Sequence, residues 1–233
     1  GPYAVTLTGG SDPNYALPLA DGTLTVTERF LTVTASDKSR LYGDANPALT
    51  VTYDGFVAGD DETDLDTPPT PTCAATAASA AGTYPISAAG GADTNYAFAY
   101  VPGTLTVGPA PLTCTADDKS KVYGSANPGL TISYTGLRNG DAAPATPPAI
   151  ACAATAASPA GTYAIALTGG ADPNYALALA DGTLTVTEKL LTVTAEDKSR
   201  LYGDANPALT VTYNGFVAGD DETDTNPLYV TVS

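Results

Sequence analysis

An internal repeat of about 80 residues decides how this chain can fold. The segment Lys-Ser-Arg-Leu-Tyr-Gly-Asp-Ala-Asn-Pro begins at Lys38, returns unchanged at Lys198, and has a close variant at Lys119. A second marker, Gly-Thr-Leu-Thr-Val, also occurs three times, beginning at Gly22, Gly103 and Gly182. The spacings between copies are 81 and 79 residues. A unit of this length is a small domain rather than one rung of a solenoid.

The repeat predicts two whole modules flanked by two parts of modules. The segments are the back part of a module at 1–28, full β-modules at 29–110 and 111–188, and the front part of a module at 189–233. Residues 1–64 match residues 161–224 at 55 of 64 positions, whereas the module between them is more divergent. Alternating versions would reduce misassembly between neighbouring modules. Recent duplication of a two-module block would produce the same pattern, and both explanations stay open.

Alternation of apolar and polar residues predicts β-strands throughout. Leu31, Val33 and Ala35 alternate with threonines, which is the period-two pattern of a strand with one buried face. Six or seven such segments per module, with turn residues about every 8–12 positions, predict an all-β fold. We expect small antiparallel, Ig-like β-sandwich modules arranged end to end. Only about three residues join one module to the next, which favours a stiff rod.

The same pattern predicts the turns and the core of each module. Two-residue hairpins are expected at Asp21-Gly22, Pro102-Gly103 and Asp181-Gly182. The predicted core of the first full module is Leu31, Val33, Leu49, Val51, Tyr53, Tyr84, Ile86, Leu105 and Val107. The predicted core of the second is Leu112, Cys114, Leu130, Ile132, Tyr134, Tyr163, Ile165, Leu184 and Val186.

Charge and apolar run length exclude two classes of partner. The net charge is −16, whereas nucleic-acid binding needs a basic face. No run approaches the roughly 20 apolar residues that cross a bilayer, so we expect no membrane insertion. The chain has no initiator Met and no signal peptide, which suggests a mature or excised piece of a longer protein. Three cysteines in a Thr-, Gly- and Ala-rich chain favour an exported, extracellular protein.

The sequence offers no set of residues typical of catalysis. Histidine is absent, which excludes Ser-His and Cys-His nucleophile pairs. Gly9-Gly10 and Gly90-Gly91 precede Asp-Pro-Asn or Asp-Thr-Asn turns rather than helices, so neither pair predicts a phosphate-binding loop. We therefore expect no enzyme activity, no catalytic residue and no cofactor-binding residue.

The candidate metal ligands are the carboxylates of an acidic loop that occurs twice. They are Asp60, Asp61, Glu62 and Asp64, and then Asp220, Asp221, Glu222 and Asp224. Clustered carboxylates can supply the six to eight oxygens that Ca²⁺ prefers. The middle module keeps only Asp141 of this set, so a solvated acidic loop without Ca²⁺ is the favoured interpretation. A second acidic position, at Asp12, Asp93 and Asp172, is predicted to cap a turn.

The cysteines, the lysines of the Asp-Lys-Ser segments and the tyrosines of the Tyr-Gly dipeptides each allow a structural and a chemical interpretation. A disulfide between Cys114 and Cys152 would lie within one module, but Cys73 has no equivalent partner, and three small buried thiols are favoured. Lysines in Asp-Lys-Ser segments look exposed, which disfavours an isopeptide bond at Lys38, Lys119 and Lys198. Half-buried packing is favoured over stacking on a ligand at Tyr42, Tyr123 and Tyr202.

An ordered set of segments carries a resemblance to a known family. The segments are Tyr-Gly-Asp-Ala-Asn-Pro-Ala-Leu from Tyr42, Gly-Phe-Val-Ala-Gly-Asp from Gly55, Ala-Gly-Thr-Tyr-Pro-Ile from Ala81, Asn-Tyr at Asn95, and Gly-Thr-Leu-Thr-Val from Gly103. This combination resembles the MBG modules of large bacterial surface proteins and covers nearly the whole chain. The resemblance implies tandem modules in an adhesin-like protein, a location on the bacterial cell surface, and a role as a stalk.

Two functions from different classes fit these observations. The first is structural: an extracellular stalk, or a fibre subunit whose copies join head to tail. The second is recognition of a glycan, or of a protein on a host or neighbouring cell, through loops. Loops rich in Gly, Ala, Asp and Pro favour the first, because recognition loops concentrate aromatic residues.

The fibre hypothesis depends on the two partial modules. Strands from residues 1–28 of one copy would complete residues 189–233 of another, and such a heterologous contact does not close into a ring. The tail Thr225–Ser233 departs from the repeat pattern and is a candidate for an additional strand.

Overall fold

The computed structural model describes residues 1–225 and 230, and it contains two compact units, Gly1–Ala110 and Pro111–Ser233. The strands of the first unit are β1 (Pro2–Val5), β2 (Gly22–Thr25), β3 (Arg29–Ala35), β4 (Lys38–Leu41), β5 (Val51–Asp54), β6 (Thr70–Cys73), β7 (Gly82–Ala89), β8 (Tyr96–Val101), β9 (Gly103–Gly108) and the start of β10 (Ala110–Ala116). The strands of the second are β11 (Lys119–Val122), β12 (Ile132–Thr135), β13 (Ala149–Cys152), β14 (Gly161–Thr168), β15 (Tyr175–Ala180), β16 (Gly182–Thr187), β17 (Thr192–Ala195) and β18 (Val211–Asn214). The only helical segments among the described residues are two 3-10 turns, Glu62–Asp64 and Glu222–Asp224.

The first full module is a sandwich of two small sheets. One sheet has the order β5-β3-β8 and the other the order β4-β9-β7-β6. Strand β3 contacts β7 and β9 of the opposite sheet, so the apolar faces of the two sheets meet. The second module repeats this plan with sheets of order β12-β10-β15 and β11-β16-β14-β13. The prediction of tandem all-β modules is confirmed.

The predicted antiparallel pairing holds for only some of the strand pairs, because each module mixes both directions. Strand β3 runs parallel to β8, β4 runs parallel to β9, and β11 runs parallel to β16. The remaining pairs in the four-stranded sheets, such as β7 with β9, are antiparallel. Parallel neighbours arise because the chain returns to each sheet from the opposite one.

The predicted two-residue hairpins are also wrong. Strands β8 and β9 belong to different sheets, so Pro102 carries the chain across the sandwich, and Asp181 does the same between β15 and β16. Asp21-Gly22 does not join a hairpin either, since β2 pairs with β1. The glycine is needed for close approach: a Cβ on Gly103 would collide with the Ala35 carbonyl oxygen.

The core prediction is correct for the strand centres, whereas four of the predicted positions in each module are only half-buried. Fully or nearly buried are Leu31, Val33, Ile86, Leu105 and Val107, with Leu112, Cys114, Ile165, Leu184 and Val186 in the second module. Only half-buried are Leu49, Val51, Tyr53 and Tyr84, with Leu130, Ile132, Tyr134 and Tyr163. Val51 and Tyr53 lie on β5, an edge strand, so one flank of each side chain stays open to water.

The two partial modules expose the faces that full modules bury. Leu24 on β2 is 57% exposed, whereas Leu105 at the equivalent position of β9 is 0% exposed. Val193 on β17 is 40% exposed, whereas its equivalent Val33 is 0% exposed. Strands β17 and β18 pair with each other only, among the described residues. The strand proposed for the Thr225–Ser233 tail lies outside the described residues, apart from Thr225 and Val230.

Candidate functional site

The acidic loop of the first module is held together by its own hydrogen bonds. The Asp61 carboxylate accepts from the Thr63 amide at 2.8 Å and from the Thr63 hydroxyl at 2.6 Å. The Asp64 carboxylate in turn accepts from the Asp61 amide at 2.8 Å, completing a capping box around the 3-10 turn. These bonds from Thr63 lower the pKa of Asp61. The cluster therefore has a structural role that the sequence interpretation did not include.

A buried tyrosine closes the same loop. The Tyr96 hydroxyl donates to Asp60 at 2.6 Å and accepts from the Val57 amide at 2.9 Å. Tyr96 is 4% exposed and packs with Leu31 and Leu65 in the core. The bond to Asp60 raises the pKa of the Tyr96 phenol. Asp60 thus connects a surface loop to the centre of its module.

The middle module explains why one acid is kept when the others are replaced. The Tyr175 hydroxyl donates to Asp141 at 2.7 Å and accepts from the Arg138 amide at 2.7 Å. Asp141 occupies the position of Asp60, and Tyr175 that of Tyr96. The retained carboxylate is the one that closes the loop, so the loop survives without the other acids.

The second acidic loop has a different tyrosine partner. Asp221 and Asp224 form the same capping box, with Thr223 donating to Asp221 at 2.8 Å. Asp220, however, lies in the lining of one cleft together with Tyr123, which belongs to the preceding module. Hydrogen bonding to Asp220 is the main cause of the raised pKa of the Tyr123 phenol. The structure therefore brings an acid of residues 189–225 together with the Tyr-Gly segment of module 111–188.

No group of three or more Cys, Asp or Glu side chains in residues 1–225 is placed to hold a metal ion. The eight predicted ligands instead divide between two capping boxes, two tyrosine contacts and the 3-10 turns that carry Glu62 and Glu222. The expectation of a loop without Ca²⁺ stays a prediction.

The second acidic position forms an Asx turn in each copy. Asp93 accepts from the amides of Asn95 at 2.7 Å and Tyr96 at 3.1 Å. Asp12 makes the same pair of bonds, and Asp172 accepts from the Asn174 amide at 2.7 Å. The turn orients the tyrosine that follows, so the interpretation of this position as a turn cap is confirmed.

The cysteines are free thiols in this structure. Cys114 is buried on β10, and burial raises the pKa of its thiol. Cys152 lies half-buried on β13 of the other sheet, and Cys73 is half-buried on β6. The possible disulfide between Cys114 and Cys152 is not formed here, and only Cys114 is a fully buried thiol.

Sequence analysis missed a buried cation in each full module. Arg40 on β4 is 8% exposed and donates to Asn46 Oδ1 at 2.7 Å, to the Leu41 carbonyl at 3.1 Å and to the Thr76 carbonyl. It ties the Tyr-Gly segment to the loop after β6. The alternation that begins at Leu31 and Val33, continued without a break, places Arg40 on the outer face. Arg40 faces inward only when the alternation is restarted after the short turn between β3 and β4.

The equivalent cation in the second module is Lys121. It is 7% exposed and donates to the carbonyls of Ser125 at 3.0 Å and Thr155 at 2.5 Å. Asn127 donates to the Ala154 carbonyl at 2.5 Å, but its buried Oδ1 has no hydrogen-bond partner. A lysine ammonium concentrates its three donors on one nitrogen, whereas a guanidinium spreads five donors over a planar fork and reaches acceptors that lie further apart.

The three Tyr-Gly dipeptides lie in different environments. Tyr42 is buried and Tyr123 half-buried, as the packing interpretation predicts, but Tyr202 is fully exposed. Next to Tyr123, Gly124 has φ +84° and faces Val217: a Cβ there would collide with both Val217 methyl groups. A cleft of about 580 Å³ runs beside this contact and is lined by Lys189, Phe216 and Asp220, among others.

A comparison with protein families accounts for the repeat. The model of the MBG domain of the YGX type matches residues 31–106, 112–185 and 191–233. These segments make up most of the chain. The chain belongs to the YGX-type MBG domain family. No curated protein sequence matches it.

Each MBG match places its Tyr-Gly dipeptide at the same point. Tyr42, Tyr123 and Tyr202 each lie 11 residues after the first residue of their match. The described part of this MBG chain contains no helix long and apolar enough to cross a membrane. The family and the fold together identify a structural repeat.

Proposed function

We propose that this MBG chain is a non-catalytic extracellular spacer, the stalk of a bacterial surface adhesin. The observation that carries the proposal is the use of Asp60 and Asp141: each candidate-site acid that recurs in a full module closes a loop through a buried tyrosine. Side chains used in this way stabilise a module and are not directed toward a ligand. A stalk needs such repeated, self-contained modules.

The polar network supports the same role. In the first module Asp37 accepts from the Thr104 amide at 2.7 Å, and in the second Asp118 accepts from the Thr183 amide at 2.7 Å. These bonds join the front of each module to its back across about 65 residues of sequence. Both full modules therefore have a hydrogen bond that holds the sandwich closed, as expected of a protein that stays folded and does not change shape.

A binding array separates the stalk from the recognition alternative. The labelled chain would be applied to glycan and surface-protein arrays beside a variant with the exposed loop residues Asn14 and Asn95 replaced by Ala. The stalk proposal expects no saturable signal from either. Saturable binding that the loop variant loses would contradict it and favour recognition through loops.

We further propose that the front part, residues 189–225, binds the back strands β1 and β2 of a second copy, which would build a head-to-tail fibre. Leu24 and Val26 are exposed on β2, while equivalent Leu105 and Val107 fill the core of a full module. Asp197 has the position of Asp37 and Thr23 that of Thr104, so the two parts also offer the carboxylate and the amide of the closing bond.

Light scattering of the intact chain over a concentration series tests the fibre. Leu24→Glu changes the apolar face of β2 and should abolish association, whereas the matched control Thr25→Glu changes the opposite face and should leave it intact. Both residues are exposed in the single chain, so neither substitution disturbs its core. A chain that stays monomeric at high concentration, or equal behaviour of the two variants, would rule the fibre out.

A further inference from the structure

Gly124 of the Tyr123-Gly124 dipeptide contacts Val217 of the loop 217–220, which belongs to the following module. In the first module Asp60 of the equivalent loop is bonded to Tyr96 of its own module. In the second unit Asp220 lines one cleft together with Tyr123, which lies in the module before it. Residues 189–233 contain no residue at the position of Tyr96, so a tyrosine of the preceding module is the one beside Asp220.

The loop valine is less exposed where a Tyr-Gly dipeptide contacts it. Val57 is 48% exposed, whereas Val217 at the equivalent position is half-buried against Gly124. Only glycine at position 124 leaves room for Val217, and its φ of +84° also favours glycine. The dipeptide thus supplies a hydroxyl donor beside a small concave surface that fits one valine.

We propose that the Tyr123-Gly124 dipeptide, part of the motif that recurs in every match, is a docking site whose ligand is the Val-Ala-Gly-Asp loop of the following MBG module. The valine fills the space over the glycine and the aspartate accepts from the tyrosine. The acids of the loop then have two tasks: Asp221 and Asp224 hold its shape, and Asp220 binds the neighbour. The docking site would connect consecutive modules of the proposed stalk. Its existence does not depend on the stalk proposal, although its role in a stalk does.

Hydrogen exchange of the full chain, below the concentration at which it associates, tests the docking site. The reporters are the amides of Asp220 and Asp224, which donate within the loop. Tyr123→Phe removes the hydroxyl and should raise their exchange rates about three- to tenfold, the effect of losing one hydrogen bond to a carboxylate. Tyr202→Phe is the matched control, because Tyr202 is fully exposed, and it should leave these rates unchanged.

Gly124→Ala is the second variant, with Gly203→Ala as its control. Both glycines have positive φ, +84° and +94°, so alanine strains the backbone in both, but only position 124 faces Val217. Gly124→Ala should accelerate exchange in the loop, and Gly203→Ala should not, while β14 and β16 amides report whether the module itself stays folded. Equal rates for Tyr123→Phe and Tyr202→Phe would overturn the docking site. That result would leave the stalk proposal standing, since the binding arrays test it separately.

Discussion

At the scale of single residues, the two full modules differ most in their buried cation. Arg40 satisfies three acceptors, including Asn46, whereas Lys121 satisfies two and leaves Asn127 Oδ1 without a partner. A buried acceptor without a donor costs about 1–3 kcal/mol. The middle module therefore has one unsatisfied acceptor, Asn127 Oδ1, whereas the equivalent Asn46 Oδ1 of the first module is satisfied by Arg40.

Lys121→Arg should stabilise the second module by about 1 kcal/mol, because the guanidinium can donate to Asn127 as Arg40 does to Asn46. Denaturant unfolding followed by a probe in that module measures the change. Lys119→Arg is the control: Lys119 makes only a 4.0 Å ion pair with Asp117, and its replacement should change little. A destabilised Lys121→Arg chain would show that the site has no room for the fork.

Truncation of core residues should follow burial rather than the alternation pattern. Leu105→Ala should cost about 2–5 kcal/mol, since Leu105 is fully buried at the centre of β9. Val51→Ala should cost no more than about 1 kcal/mol, because half-buried Val51 lies on an edge strand. Equal losses in urea unfolding would mean that the edge of the sandwich is as well packed as its centre.

At the scale of strands, the sequence predicts which residues face inward but not which strand lies beside which. Alternation is the same whether Pro102-Gly103 turns the chain back beside β8 or carries it to the other sheet. The parallel pairing of β4 with β9 joins Lys38 to Leu105, far apart in sequence, and no local pattern encodes it. The Asp37 bond to Thr104 fixes that pairing, and it became recognisable only in three dimensions.

Acid should weaken the β10–β12 pair through Asp117. This carboxylate accepts from the Ser133 hydroxyl at 2.6 Å and from the Thr131 hydroxyl, and these bonds lower the pKa of Asp117 below the ordinary 3.8. The unfolded chain therefore binds the proton more readily, so the stabilisation is present above pH 3.8 and is lost as pH falls through the lower folded value. Urea unfolding at a series of acidic pH values measures it.

Asp117→Asn provides the comparison for the acid series. It keeps an acceptor but has no proton to gain, so its stability should fall less than that of the unchanged chain over the same pH range. Parallel curves for the two proteins would show that other carboxylates with lowered pKa, such as Asp61 and Asp93, dominate the acid response.

At the scale of the whole molecule, the repeat predicted tandem modules, while the contact between module 111–188 and residues 189–225 was not foreseen. Tyr123 and Asp220 are almost 100 residues apart, and each has an unremarkable role when its module is considered alone. The survival of Asp141 where neighbouring acids were replaced indicated a role other than metal binding, but its bond to Tyr175 lies within one module and did not point to this contact.

Calcium should have little effect on the melting temperature of the chain. Asp61 and Asp64 of the first loop, like Asp221 and Asp224 of the second, already accept hydrogen bonds, and the middle module lacks most of the acids. Scanning calorimetry with millimolar Ca²⁺, then with excess chelator, checks this expectation. A rise of several degrees that the chelator reverses would restore the acidic loops as Ca²⁺ sites.

The central proposal, that the chain is a stalk of MBG modules that each fold as a unit, is tested most directly by pulling one molecule from its two ends. Each full module of roughly 80 residues should unfold in its own step and release about 250 Å, given about 3.3–3.6 Å per extended residue less the folded span. The account predicts two such steps per molecule. A single step that releases both modules together, or extension without resistance, would contradict it.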